Sequence, residues 1–209
     1  MTKILIADDH TVVRRGLKQI LLEGFPFAFI EEVVDAEELI KKVMKDEWDV
    51  IISDLSMPGR SGLESLHQIK QHYPKLPVLI LSVHPEEQYA IRVLKAGASG
   101  YLNKDLAPEE LVKAVNCVLE GKKYITSSIA EKLASALDAD SDKAPHEFLS
   151  DREFEVLKLI AAGKSVSDIA DQLSLSVTTI STYRARIMTK MNLKTNADLT
   201  LYAIEHKLI

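Results

Sequence analysis

The sequence predicts an α/β doubly wound (βα)5 domain followed by a second, all-α domain of helix-turn-helix type. Three observations carry this reading. Over residues 1–120 short apolar runs alternate with amphipathic stretches. From Leu149 onward every segment has helical character. Between the two, Asp138 to His146 is acidic, rich in small residues, and without periodicity, as in a flexible linker.

The strand candidates are Lys3–Asp8, Phe27–Val33, Asp49–Asp54, Pro77–Ser82 and Ser99–Asn103. The inner ones are almost continuously apolar, as expected of parallel strands covered by helices on both faces. Helical patterns lie near 10–23, 36–46, 62–73, 86–97 and 107–120. Strict alternation of strand and helix implies a parallel sheet. Residues 124–137 read as one further helix, with Ser127 or Ser128 as cap and Ile129, Leu133 and Leu137 on one face. Ser150 and Glu153 form a capping box that opens a helix to about Ala162, which Gly163 stops. A short helix from Ser165 to Leu173, a third from Val177 to Met191 capped by Ser176, and a last one from Thr195 or Asn196 to Glu205 complete the pattern. The expected domains are therefore 1–123, a linker region 124–148, and 149–209.

Composition narrows the classes. The chain has 209 residues and one cysteine, Cys117, so no intrachain disulfide can form. No apolar run approaches the roughly 18 residues that span a bilayer, and the N-terminus lacks a signal-peptide core, so a cytoplasmic protein is expected. The net charge of −5 is unevenly spread: residues 1–137 carry −3, 138–149 carry −3, and 150–209 carry +1. Within the last part, 178–194 holds Arg184, Arg186, Lys190 and Lys194 and no acid. Charges screened beyond about 8–10 Å let such a segment meet phosphates despite the acidic total.

Asp8, Asp54, Ser82 and Asn103 each end a strand, and Lys104 follows directly. In a doubly wound sheet, sites lie outside the carboxyl ends of the strands. Carboxylates gathered there, Asp8, Asp9 and Asp54, repel one another unless a cation joins them. A hard divalent ion, Mg²⁺ by preference, takes one or two carboxylates and leaves room for phosphate oxygens. One carboxylate can then attack a phosphoryl donor, with Lys104 and the Ser82 hydroxyl receiving the product. His10, next to the pair, reads as a helix start, and Cys117 as a core residue.

Residues 3–120 resemble a receiver domain, through the pair at 8–9, D-L-S-M-P-G at 54–59, Ser82, and A-G-A-S-G-Y-L-N-K at 96–104. The resemblance implies Asp54 as phosphoacceptor, charged by a sensor histidine kinase. It implies Asp9, Asp54 and the Ser56 carbonyl as Mg²⁺ ligands, with Asp8 holding a metal-bound water. It also implies Ser82 and Tyr101 as a switch pair, the ring turning inward as the hydroxyl moves toward the phosphoryl group. The chain departs from the broader pattern at Asp105, where many receivers have Pro, and at Val83, which is larger than usual.

Residues 149–209 resemble the LuxR-type helix-turn-helix of the NarL/FixJ family, through L-S-D-R-E-F-E-V-L at 149–157, A-A-G-K-S at 161–165, I-A-D-Q-L at 169–173, L-S-V-T-T-I at 175–180 and K-M-N-L at 190–193. The helix geometry agrees independently. At 100° per residue, Ile180, Tyr183, Ile187 and Met191 share one face, while Thr178, Ser181, Thr182, Ala185 and Thr189 oppose it. Small polar residues suit a helix lying in the major groove, with Arg184 and Arg186 flanking it. Thr179 and Lys190 complete the expected DNA-contacting set. Lysines common in the family at 178 and 181, and a histidine at 183, are missing.

Together the two resemblances imply a transcription-regulating response regulator that binds promoter DNA and forms homodimers, not an enzyme. For the dimer contact Leu199, Tyr202 and Ile204 of the last helix are candidates, or they are intramolecular core. Two other classes compete. A Mg²⁺-dependent aspartyl-phosphate phosphohydrolase is disfavoured by Ser56 standing where such enzymes place a second Asp. An adaptor that does not bind DNA is disfavoured by the acid-free stretch at 178–194.

Overall fold

The computed structural model describes residues 1–57, 62–131 and 144–209. The chain forms two compact units, Met1–Asp138 and Ala139–Ile209. The first is a parallel sheet of five strands in the order β2-β1-β3-β4-β5. These are β1 Lys3–Ala7, β2 Phe29–Val33, β3 Val50–Asp54, β4 Val78–Ser82 and β5 Gly100–Asn103. Helices α1 (Thr11–Gly24), α2 (Ala36–Lys45), α3 (Gly62–His72), α4 (Glu86–Lys95) and α5 (Ala107–Leu119) alternate with them. The (βα)5 order expected from the sequence is present, with strand ends trimmed by one or two residues.

Strands β3 and β4 are buried along their whole length, which is why their sequences are apolar without alternation. Ile4, Ile6, Ile52 and Leu81 of the sheet pack with Leu17 and Leu21 of α1 and with Leu111 and Val115 of α5. Strand order reverses between β1 and β3, so a crevice opens beyond their carboxyl ends.

The stretch 124–126 is not helical, contrary to the expectation for 124–137. Tyr124 instead forms a parallel bridge with Gly100, its N–H donating to the Ser99 carbonyl at 2.9 Å. An edge strand leaves backbone groups unpaired, and this segment takes them up. Helix begins at Ser127, and Thr126 rather than Ser127 or Ser128 caps it by accepting from the Ile129 N–H at 3.3 Å. Leu133 and Leu137 lie outside the described residues, as does most of the expected linker. Its end, Pro145–Phe148, is a short 3-10 turn.

The second unit holds α6 (Asp151–Ala161), α7 (Val166–Leu173), α8 (Val177–Met191) and α9 (Asn196–Glu205). Ser150 and Glu153 form the expected capping box, and Ser165–Asp168 and Thr195–Asp198 form two more. Helix α8 packs on α6 and α7 through Ile180 and Ile187, both fully buried. Among the described residues no helix is long and apolar enough to cross a membrane.

Capping makes a testable demand here. Ser150→Ala is expected to cost about 0.5–2 kcal/mol. Glu153→Ala is expected to cost more, because Glu153 also accepts from Lys190 at 2.6 Å. Urea unfolding of the two variants, followed by circular dichroism, checks the order.

Candidate functional site

Asp8 follows β1, Asp54 ends β3, Ser82 ends β4, and Lys104 follows β5, so the sheet itself brings them together. Lys104 Nζ lies 2.6 Å from Asp8 Oδ2 and 2.9 Å from Asp54 Oδ2. Asp8 is 1% exposed and Asp54 4%. Ligand atoms of Asp8, Asp9, His10 and Asp54 all fall within 4.8 Å of one another. Among the described residues, the buried Asp8 Oδ2 and Asp9 Oδ1 accept no hydrogen bond of good geometry; Lys104 Nζ lies 2.6 Å from Asp8 Oδ2 and His10 Nδ1 2.7 Å from Asp9 Oδ1. Oxygen donors with lone pairs left over fit a hard divalent cation.

Burial raises the Asp54 pKa above the ordinary aspartate range, and Lys104 opposes this without cancelling it; Asp8 adds to the rise. Burial also works against the Lys104 ammonium, but Asp54 and Asp8 outweigh it and hold its pKa above the usual lysine value. The pocket is thus an over-acidic site balanced by one amine.

Two supporting residues, Arg14 and Gly62, escaped the sequence reading, which takes His10 only as a helix start. Arg14, nearly buried, donates from Nη1 to the Asp8 carbonyl at 2.7 Å and fixes the backbone that carries the acid pair. A helical Arg one turn beyond the pair was the available signal. A Cβ at Gly62 would lie 2.3 Å from the Asp54 carbonyl oxygen, so α3 can start against the strand end only with glycine there. His10 does start α1, as expected, yet its ring also reaches the acid cluster. Cys117 is only half buried, its thiol facing the Lys123 carbonyl.

Tyr101 is fully buried and its hydroxyl donates to the His84 carbonyl at 2.7 Å. Ser82 Oγ meanwhile accepts from the His84 N–H at 3.1 Å. The inward ring and a loop-bound hydroxyl therefore coexist, whereas the sequence reading expected the ring to follow the hydroxyl. Ser56 donates its N–H to Asp54 Oδ1 at 3.3 Å, and its hydroxyl meets His84 Nε2 at 3.3 Å. Pro58 and Gly59 of the quoted motif lie outside the described residues.

In the second unit Thr178, Ser181, Thr182, Ala185, Arg186 and Thr189 line the exposed side of α8, opposite Ile180, Ile187 and Met191. Tyr183 is half buried, and so is Thr179, whose hydroxyl meets the Ser176 cap at 2.8 Å. Two of the expected cations are already engaged. Lys190 pairs with the buried Glu153 at 2.6 Å, and Arg184 Nε donates to Asn196 Oδ1 at 2.7 Å. Arg186 is exposed and has no ion-pair partner among the described residues. In α9, Leu199 is fully buried, which removes it from the dimer candidates; Ala197, Leu201 and Ile204 form the exposed apolar stripe. Tyr202 is half buried, its hydroxyl 2.9 Å from His146 Nδ1.

A parallel sheet with acids and a lysine at its carboxyl edge, joined to a helix-turn-helix unit, defines the class of two-domain signal-responsive regulators. Residues 4–116 match the response regulator receiver domain family, and 147–203 match the luxR family of bacterial regulatory proteins. Response regulator UvrY of Escherichia coli strain K12 is 36% identical over 209 residues, covering 100% of this chain and 96% of its own length. Oxygen regulatory protein NreC of Staphylococcus carnosus is 39% identical over 214 residues, with 99% of each chain covered. Among solved structures, RcsB of Salmonella enterica serovar Typhimurium bound to promoter rprA in the presence of phosphomimetic BeF3- is similar with a TM-score of 0.66 at 30% identity, covering 97% of this chain and 98% of that one. The chain belongs to the NarL/FixJ family of response regulators, with a receiver domain and a LuxR-type DNA-binding domain.

The raised Asp54 pKa has a consequence for stability. Its folded value exceeds the unfolded one, so stability falls as pH rises through the interval between them and stays lower at neutral pH. Asp54→Asn should therefore raise the thermal midpoint. Mg²⁺ should raise the wild-type midpoint and raise that of the Asn variant less. Scanning calorimetry with and without Mg²⁺ checks both; a lower midpoint for Asp54→Asn without Mg²⁺ would contradict the charge balance described above.

Proposed function

We propose that Asp54 is the phosphoacceptor of a two-component relay and that phosphorylation controls promoter binding through α8. The observation that carries this is the buried Asp54 carboxylate within 2.9 Å of Lys104 Nζ, beside Asp8 and Asp9. In the transfer an Asp54 oxygen attacks phosphorus, and the P–N bond to the imidazole of a histidine kinase breaks. The imidazole leaves with the electron pair. A small acyl phosphate loses its P–O bond in the same way. Lys104 pairs with the incoming phosphoryl oxygens, and the Ser82 hydroxyl can donate to one of them. Asp9, Asp54 and the Ser56 carbonyl are the candidate ligands for Mg²⁺, with Asp8 on a bound water. When bound, the ion offsets repulsion between carboxylate and donor. Ser56, two residues after the acceptor, offers no carboxylic acid for fast hydrolysis, so the site stores a signal and does not turn over substrate.

A phosphoryl group brings about −1.5 to −2 charge to the pocket. Similar RcsB structures are bound to DNA, which supports reading this chain as a DNA-binding protein, and the exposed face of small polar residues makes α8 its candidate for the major groove. Thr178, Ser181, Thr182, Ala185 and Thr189 would face base edges, and Arg186 the phosphates. Lys190 and Arg184 contribute less than the sequence reading expected, since each is held by a neighbour in its own unit. One such unit has a small basic footprint, so two copies are needed for firm binding, and the Ala197–Leu201–Ile204 stripe suits a second copy of the chain. The acceptor chemistry and the absence of a long apolar helix among the described residues suit a cytoplasmic regulator.

Intact-mass measurement after treatment with acetyl phosphate and Mg²⁺ should show one added phosphate on the wild type and none on Asp54→Asn; label persisting in the variant would end this assignment. In DNA binding, Arg186→Ala should reduce the slope of log K against log salt by about 0.9 and weaken all sequences alike. Arg184→Ala should change that slope less. A larger residue at Ser181 or Thr182 should alter base preference by about 1–3 kcal/mol at one position with the slope unchanged. Site selection at several salt concentrations separates these outcomes.

A further inference from the structure

The segment leaving α5 is fastened to the first unit at several points. Lys123 Nζ donates to the Ala98 carbonyl. The Tyr124 N–H donates to Ser99 O at 2.9 Å, and its hydroxyl donates to Glu110 Oε2 at 3.2 Å. The Tyr124 phenol pKa is pushed up to about 12 by burial and by the carboxylates of Glu110 and Glu86, which agrees with its hydroxyl keeping its proton toward Glu110. The last point is the most telling. The Thr126 hydroxyl lies 3.0 Å from both oxygens of Glu86 while it accepts the Ile129 N–H at 3.3 Å. One hydroxyl thus serves as donor to α4 and as cap of the helix that begins at Ser127.

Glu86 is the first residue of α4, two positions beyond His84. His84 donates its N–H to Ser82 Oγ and receives the Tyr101 hydroxyl on its carbonyl. Gly100, which bridges Tyr124, directly precedes Tyr101. Tyr101 is therefore one residue from one point that holds the exit segment, and His84, which bonds both Ser82 and Tyr101, is two residues from the other. A shift of the loop 83–85 must carry Glu86 with it, and the 3.0 Å contact tolerates little displacement before the bond is lost.

We propose that Thr126 and Glu86 form a latch that couples the β4–α4 loop to the exit segment, so that phosphorylation of Asp54 is read out as order in residues 122–131. The inference rests on Asp54 being the phosphoacceptor. In this structure the latch is closed while Tyr101 is inward, the arrangement expected with a phosphoryl group bound, so phosphorylation favours the closed latch. Coupling of this kind is reciprocal: whatever opens the latch also weakens the inward position of Tyr101.

Amide hydrogen exchange on the full chain, with and without acetyl phosphate and Mg²⁺, tests it, with intact mass on the same samples reporting phosphate on Asp54. Phosphorylated wild type should exchange the amides of 124–131 about tenfold more slowly than the unmodified protein, the change expected for one hydrogen bond to a charged group. Thr126→Val and Glu86→Ala should lose that difference while still accepting phosphate, and Thr126→Ser should keep it. Glu86→Ala leaves the Thr126 cap intact, so a loss in that variant reports the latch and not helix fraying. Unchanged exchange in fully labelled wild type, or a difference that survives Glu86→Ala, overturns the latch alone. Failure of the treated wild type to gain phosphate on Asp54 overturns the phosphoacceptor reading and the latch with it.

Discussion

The contact between Lys104 Nζ and the two carboxylates Asp8 and Asp54 is the constraint on which the first unit depends. It joins the ends of β1, β3 and β5, which the sheet already brings together beside the crevice where strand order reverses. Both acids are nearly out of water, so each would be costly without a cation within reach. One amine cannot neutralise Asp8, Asp9 and Asp54 together, and the residual negative charge is what makes the site receptive to a divalent ion. Under the proposed function, the same charge would oppose approach of an anionic donor until such an ion is bound. Structural balance and chemical readiness are thus two consequences of one charge arrangement.

Around that centre the backbone is held by groups with no direct part in the chemistry. Arg14 binds the carbonyl of Asp8 from inside the fold. Gly62 lets α3 begin in contact with the end of β3, where any side chain would strike the Asp54 carbonyl. On the far side, His84 touches Ser56, Ser82 and Tyr101 through its ring, its N–H and its carbonyl. Hydrogen bonds thus run from Asp54 through Ser56 and His84 to Tyr101. Tyr101 lies inward while Ser82 Oγ accepts from the loop, so both side chains are tied to the same residue, His84.

The second unit shows a division between holding and reading. Capping boxes at Ser150, Ser165 and Thr195 fix three helix starts, and Ser176 fixes the fourth. Lys190 is spent on Glu153, tying the end of α8 to the start of α6. Arg184 reaches Asn196 at the start of α9. The exposed side of α8 is left with small, mostly hydroxylated residues and Arg186. Under the proposed function such a helix would gain more from shape and from a second copy than from phosphate attraction.

The sequence by itself determined the order of strands and helices, the strand-end positions of Asp8, Asp54, Ser82 and Lys104, the capping box at Ser150 and Glu153, and the two faces of α8. These features are local: burial on both faces leaves continuous apolar runs, caps sit at a fixed spacing from their helices, and a helix repeats every 3.6 residues. Only the tertiary structure decided that Lys190 faces Glu153 and Arg184 faces Asn196, that Leu199 is core while Leu201 and Ile204 are exposed, and that Tyr101 points inward. It also decided that Tyr124 closes the edge of β5 instead of starting a helix. Each of these depends on which residue the fold places opposite another, at separations such as the 37 residues between Glu153 and Lys190. Periodicity along one segment carries no information about a partner that far away, and a polar side chain takes whichever partner the packing of the apolar faces brings within reach.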